Sequence, residues 1–212
     1  MKIGILGTGD VGRALGNGFV GLGWETKMGS REANNEKAAA WSKQAGARAS
    51  HGTFADAAAF GDVVVLATVW TAVKQVLDAC GGKLDGKIVI DATNPLDFST
   101  GAPRLALGTT DSGGEQVQRW LPKSRVVKAF NSVGNAHMVN PDFPGGPPSM
   151  WIAGNDADAK KIVTDILTKF GWDTIDTGGI EGARLLEPLC ILWVDYAMRH
   201  KGWNHAFKLL RK

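Results

Sequence analysis

Lys2-Ile3-Gly4-Ile5-Leu6-Gly7-Thr8-Gly9-Asp10-Val11-Gly12 opens the chain, and its reading decides the fold. Lys2 to Leu6 is a short apolar run that reads as a buried strand. Gly7 to Gly12 fits the spacing G-x-G-x-x-G. From Val11 to Leu22 the apolar residues return at helical spacing: Val11, Ala14, Leu15, Gly18, Phe19 and Leu22. Strand, glycine loop and helix in this order predict a dinucleotide-binding turn. Gly7 permits the tight turn out of the strand, Gly9 lets a pyrophosphate reach the backbone, and Gly12 lets the helix pack close to the strand. Thr8, Asp10 and Val11 share that turn, where free N–H groups and the positive end of the helix dipole face the phosphates. In a chain with 28 glycines the spacing alone also arises in ordinary turns, so the flanking strand and helix carry the nucleotide reading.

Trp24 to Met28 reads as the second strand. An NAD-binding unit usually ends this strand in Asp or Glu, which holds the ribose hydroxyls. Here the chain continues Gly29-Ser30-Arg31, with Lys37 shortly after. A hydroxyl and a guanidinium suit a 2′-phosphate, which a carboxylate would repel. NADP is therefore expected over NAD, with Glu32 turned away into solvent.

Further elements follow in βα alternation. Asn35 to Gly46 reads as a helix, Ala47 to Ser50 as an edge strand, and Thr53 to Phe60 as a helix capped by Thr53. Asp62 to Ala67 is a β-branched run suited to a central parallel strand buried on both faces. Thr68, Val69 and Trp70 follow at its carboxyl end, where open α/β sheets bind ligands. A helix over Ala72 to Cys80, a strand over Lys87 to Asp91, Asn94-Pro95 just past its end, a helix over Glu115 to Leu121 and a strand over Arg125 to Phe130 come next. Beyond a loop over Asn140 to Ser149 lie a strand (Ser149 to Ala153), an amphipathic helix (Asp156 to Phe170), a strand (Trp172 to Asp176) and an apolar helix (Ala183 to His200). The expected fold is α/β, a doubly wound and mainly parallel sheet of the Rossmann type with a small C-terminal helical extension. Residues 1–212 form one unit, with 1–150 as the nucleotide-binding core and 151–212 as the part that completes a second pocket.

The 212 residues, 44% hydrophobic and 21% charged, suit a globular domain. A net charge of +3 spread along the chain argues against a nucleic-acid partner. No apolar run is long enough to span a bilayer, so no membrane partner is expected. The two cysteines, Cys80 and Cys190, give neither a disulfide framework nor metal spacing, and no metal is expected. With no signal peptide at its start, the chain is expected in the cytoplasm. Leu185, Leu186, Leu189, Ile191, Leu192, Trp193 and Val194 give the last helix more apolar surface than one core face takes up, and a homodimer is expected through it.

Taken together, Gly7–Gly12, Gly29-Ser30-Arg31, Asp91-Ala92-Thr93-Asn94-Pro95, Lys128-Ala129-Phe130-Asn131, Ala183-Arg184-Leu185-Leu186-Glu187 and the tail Ala206-Phe207-Lys208-Leu209-Leu210 resemble the NADP oxidoreductase, coenzyme F-420-dependent family over nearly the whole length. The module is also similar to the cytosolic domain of six-transmembrane metalloreductases. The resemblance implies an NADP site at Thr8, Gly9, Asp10, Val11, Ser30, Arg31, Lys37, Thr68 and Ala129. It implies a second, tricyclic cofactor or substrate stacked on the nicotinamide, near Asn131, Gly134, Cys190 and His205. At Asn131, Gly134 and Cys190 the archaeal deazaflavin enzymes have histidine, proline and a hydroxyl side chain instead. In this stretch the chain is closer to the flavin-using relatives, so coenzyme F-420, FMN and FAD all stand as candidates.

Hydride transfer between two rings asks the protein for placement and exclusion of water, not for an acid or a base. No catalytic side chain is expected. The lone tyrosine, Tyr196, reads as core. Two other functions share the pattern: reduction of a small carbonyl or imine, with His137 or His205 as proton donor, and non-catalytic sensing of NADP(H).

Overall fold

Strand β1 (Lys2–Leu6) lies inside an eight-stranded sheet, between β4 (Val63–Leu66) on one side and β2 (Glu25–Ser30) on the other. The computed structural model describes residues 1–99 and 101–212. With β3 (Ala49–Thr53), β5 (Ile88–Asp91), β8 (Arg125–Lys128), β9 (Ser149–Gly154) and β10 (Asp173–Asp176), the sheet order is β10-β9-β8-β5-β4-β1-β2-β3. All neighbours are parallel except β8 and β9, so the last two strands run against the rest.

Side-chain alternation along these strands feeds two cores. Ile3, Ile5, Val63, Val65, Ile88 and Ile90 point to one face, where α1 (Asp10–Gly21) and α6 (Ala157–Lys169) cover them with Leu15, Phe19, Val163 and Leu167. Leu6, Val64, Leu66 and Val89 point to the other, under α3 (Phe54–Phe60), α4 (Val73–Ala79) and α5 (Gly113–Trp120). Helices on both faces of a mostly parallel sheet make the fold doubly wound, as the βα alternation predicts. α2 (Glu36–Ala45) covers the sheet edge with Trp41 against Met28.

Several boundaries differ from expectation, each for a local reason. β2 runs on through Gly29 and Ser30, because β3 starts later than expected and pairs with it as far as Ser30↔Thr53. α5 begins at Gly113, since the Ser112 side chain accepts from the Glu115 N–H and caps it there. The strand expected to reach Phe130 stops at Lys128: Phe130 takes the left-handed conformation, φ 63°, which no strand holds. The hairpin β6 (Leu96–Asp97) and β7 (Arg104–Leu105) was not expected, as two-residue strands carry no periodicity to read.

The final helix, α7 (Ala183–His200), keeps its expected bounds and leads into an extended tail. Leu186, Cys190, Trp193, Val194 and Ala197 face inward. Leu185, Leu192 and Tyr196 are 70%, 56% and 48% exposed, so Tyr196 is not the core residue that its apolar context suggests. Among the described residues, no helix is long and apolar enough to cross a membrane.

Candidate functional site

A cavity of about 1160 Å³ opens at the carboxyl ends of β1 and β4, where the strand order reverses. That switch point is where open α/β sheets bind dinucleotides. Gly7, Thr8, Gly9, Asp10 and Val11 line it from the glycine loop, Ser30 and Arg31 from the end of β2, and Thr68 and Val69 from the end of β4. Nine of the expected residues therefore meet in one place.

The glycines divide the work. Gly7 has φ +139° and a Cβ there would strike the Ala67 carbonyl. A Cβ on Gly12 would overlap the Gly7 carbonyl oxygen, so Gly12 serves packing and does not line the cavity. Gly9 is different: a Cβ there meets nothing within 4 Å. No protein neighbour demands glycine at this position, and its bare backbone faces the cavity as a pyrophosphate requires. The residues present fit a bound dinucleotide.

At the end of β2 Arg31 is exposed and forms no ion pair among the described residues, whereas Arg13 is taken up by Asp10. Ser30 is buried, and its hydroxyl donates to the Glu32 carbonyl at 2.5 Å. Glu32 itself lines the cavity, contrary to the expectation that it turns away. Lys37, in the first turn of α2, is exposed and does not line it. Asn35, which does, accepts from the Ala38 N–H as the cap of α2. Ala129 is fully buried and Trp70 stacks on Trp120, so neither lines the cavity.

The remaining expected residues gather along the inward face of α7. Asn131 donates from Nδ2 to the Leu186 carbonyl at 2.6 Å and to Asn94 Oδ1 at 3.2 Å. A Cβ on Gly134 would touch the Trp193 ring at 3.1 Å. His205 stacks on Trp193 with centroids 4.7 Å apart, and its Nε2 lies 3.0 Å from the Trp193 carbonyl. A carbonyl only accepts, so Nε2 carries a proton, and in the Nε2–H tautomer Nδ1 is the acceptor. Cys190 is buried in the same cluster, and burial pushes its thiol up to about 12, which keeps it unreactive. Asn131 Oδ1 and His205 Nδ1 are both buried with no hydrogen-bond partner among the described residues. Two orphaned acceptors beside stacked aromatic rings suit a planar heterocycle with N–H or O–H donors.

One cluster escaped the sequence reading. Lys128, fully buried, places Nζ 3.0 Å from Asp91 Oδ2, 2.8 Å from Glu187 Oε1 and 2.7 Å from the Thr93 carbonyl. Burial pushes the ammonium pKa down, but the two carboxylates outweigh it and hold the pKa above the usual lysine value. Glu187 also accepts from the Gly113 and Gly114 N–H groups at 2.9 and 3.0 Å, at the start of α5. The available signal was a charged residue inside each of three apolar segments.

A Rossmann-type nucleotide cleft at the carboxyl ends of β1 and β4 defines the class: a dinucleotide-binding oxidoreductase scaffold. The family model "NADP oxidoreductase coenzyme F420-dependent" matches residues 2–95. The F420-dependent NADP reductase of Methanocaldococcus jannaschii is 34% identical, over 99% of this chain and 98% of its own. The crystal structure of a candidate F420-dependent NADP reductase from Arthrobacter sp. FB24 superposes with a TM-score of 0.93 at 38% identity, covering 100% of both chains. Metalloreductase STEAP3 of Rattus norvegicus is 29% identical over 89% of this chain and 36% of its own. The chain belongs to the coenzyme F420-dependent NADP oxidoreductase family. Imine reductases at 15–17% identity share the fold alone.

Proposed function

We propose that this protein transfers hydride between NADP(H) and coenzyme F420. The observation that carries the reading is a nucleotide cleft lined by an exposed Arg31 with no ion-pair partner among the described residues, in a chain of this family that also carries an aromatic cluster with two orphaned acceptors on α7. The two cofactors, when bound, supply the hydride donor and acceptor carbons. The chain holds and orients them. The glycine loop receives the pyrophosphate at the start of α1, and Arg31 meets the 2′-phosphate with a planar pair of donors. Asn131 and His205 accept hydrogen bonds from the second ring, while Trp193 and the α7 face exclude water, which shortens the approach without any side-chain acid or base.

Residues 1–150 serve as the nucleotide core and contribute Asn131 and Gly134 to the second site, which 151–212 complete. The stripe of Leu185, Leu192 and Tyr196 supports a homodimer through α7. Two free cysteines suit the reducing cytoplasm. The test is hydride exchange from NADPH to F420, FMN, FAD, a simple ketone and a cyclic imine. Turnover with F420 well above the others is expected. Turnover with FMN or FAD instead reassigns the second ring, and turnover with the ketone or imine alone overturns the proposal.

A further inference from the structure

The buried ions of β5, β8 and α7 belong to a closed circuit. Glu187 binds Lys128, and Lys128 donates to the Thr93 carbonyl. Thr93 is bonded to Asn94 along the chain, and Asn94 and Asn131 hold each other through two hydrogen bonds. Asn131 donates to the carbonyl of Leu186, the residue before Glu187. Asp91 fixes Thr93 from the other side, its Oδ1 accepting from the Thr93 N–H at 3.0 Å and the Thr93 hydroxyl at 2.7 Å. Every member is buried or half-buried.

Two carboxylates and one ammonium leave a formal charge of −1 in the interior. The Gly113 and Gly114 N–H groups at the start of α5 meet it with the positive end of a helix dipole. Such a set is weak as a source of stability, because desolvation consumes most of the Coulomb gain. Its hydrogen bonds nevertheless tie three separate segments, β5, β8 and α7, at fixed distances.

We infer that Asp91, Lys128 and Glu187 are positioning residues that lock α7 against the ends of β5 and β8 and thereby set the distance between the nicotinamide cleft and the second ring. The inference rests on the reading of α7 as the wall of the ring site. Phe130 supports it: its backbone takes the strained left-handed conformation, φ 63°, directly before Asn131, which bonds the Leu186 carbonyl. Strain of that kind persists only where the surroundings over-determine it, and the circuit encloses this residue on both sides.

Glu187→Gln tests it. The substitution removes the charge from the tie to α7, sets an amide donor where Gly113 or Gly114 N–H now finds an acceptor, and leaves Lys128 and Asp91 as a balanced pair. Hydride transfer should fall by about 10²-fold in kcat, the penalty of a misplacement near 1 Å. The NADPH Kd should stay within about twofold of wild type, as for independent sites. Amide exchange should rise about tenfold in peptides covering residues 91–96 and 183–193, and not in the glycine loop. The apolar triple variant Asp91→Leu, Lys128→Met, Glu187→Leu guards against simple unfolding: replacing buried ions by apolar side chains of similar size keeps the fold, so it should still melt cooperatively and show the same kcat loss. Wild-type kcat with unchanged exchange in either variant overturns the lock, and so does an equal loss of NADPH binding. If wild type moves no hydride to F420, the proposed function fails, while the exchange measurement still judges the lock.

Discussion

Asn94 and Asn131 hold each other across the ends of two adjacent strands. Asn94 Nδ2 donates to the Asn131 carbonyl at 2.8 Å, and Asn131 Nδ2 donates to Asn94 Oδ1 at 3.2 Å. Because Nδ2 of Asn131 faces two acceptors, Asn94 Oδ1 and the Leu186 carbonyl, its orientation is determined and Oδ1 is left without a hydrogen-bond partner among the described residues. Asn131→Asp would set a buried carboxylate against both acceptors. A loss of roughly 3 kcal/mol is expected at pH 7, read as a lower urea midpoint. A midpoint equal to wild type would show that the pair bears no such constraint.

Coenzyme preference should reside in Arg31 more than in Ser30. The Ser30 proton is engaged by the Glu32 carbonyl, so this hydroxyl must first give up a bond to meet a phosphate. Arg31 has no such competitor among the described residues. Arg31→Ala should weaken NADPH by about 1.5–3 kcal/mol, about one to two orders of magnitude, and leave NADH unchanged. Ser30→Ala should cost only about two- to tenfold. Titration of both nucleotides decides. Tight NADPH binding by Arg31→Ala would remove this residue from the site.

Much of this arrangement was legible from residue order. The run from Lys2 to Gly12 defines β1, its turn and the start of α1, and Ser30-Arg31 at the end of β2 reach the same cavity. Other parts depend on contacts that no local pattern encodes. Ser30 and Arg31 are adjacent, but only the fold reveals that the Ser30 hydroxyl turns to Glu32. Asp91, Lys128 and Glu187 each sit in an apolar stretch where one charge looks incidental, and only the sheet order brings them together. For α7, helical spacing reports that the segment is apolar, but not that the tail folds His205 and Phe207 back onto its Trp193 side.

The exposed side of α7 carries Leu185, Leu192 and Tyr196 on a single stripe. If two copies pair there, Leu192→Glu places a charge in the interface and should yield a monomer, read by sedimentation at micromolar concentration. The variant should melt as a folded protein, because Leu192 is 56% exposed within one chain. Wild type that sediments as a monomer would exclude the pairing.

Acid should weaken the fold over a defined range. The Ser99 amide and hydroxyl, with the Arg104 guanidinium, hold Asp97 at about 2, against 3.8 for a free aspartate. Arg119 holds Asp111 at about 2 as well. Both are depressed on folding, so their contribution is complete above about pH 4 and is lost as the pH falls toward 2. Both groups are near the surface, and salt should screen part of the effect. Melting temperature scanned from neutral pH to pH 2 should fall across that window, and Asp111→Asn should flatten the slope. An Asp111→Asn scan parallel to wild type would count against this assignment.

Gly9 and Gly12 allow stability and nucleotide binding to be separated within one loop. Gly9 has φ −76°, which alanine adopts freely, and an added methyl meets no atom within 4 Å. Gly9→Ala should therefore fold as well as wild type, or gain up to about 1 kcal/mol from a stiffer unfolded chain. The same methyl stands where the pyrophosphate must approach the backbone, so NADPH binding should drop by at least about two orders of magnitude, read by fluorescence titration. Gly12→Ala is the counterpart. Its methyl would overlap the Gly7 carbonyl oxygen and crowd Ile5, forcing α1 away from β1. That substitution should lower the melting temperature by several degrees, at a cost of about 1–3 kcal/mol typical of overpacking. Gly9→Ala that binds NADPH normally would place the pyrophosphate elsewhere, and Gly12→Ala that melts like wild type would show that the close approach of α1 to β1 is not needed.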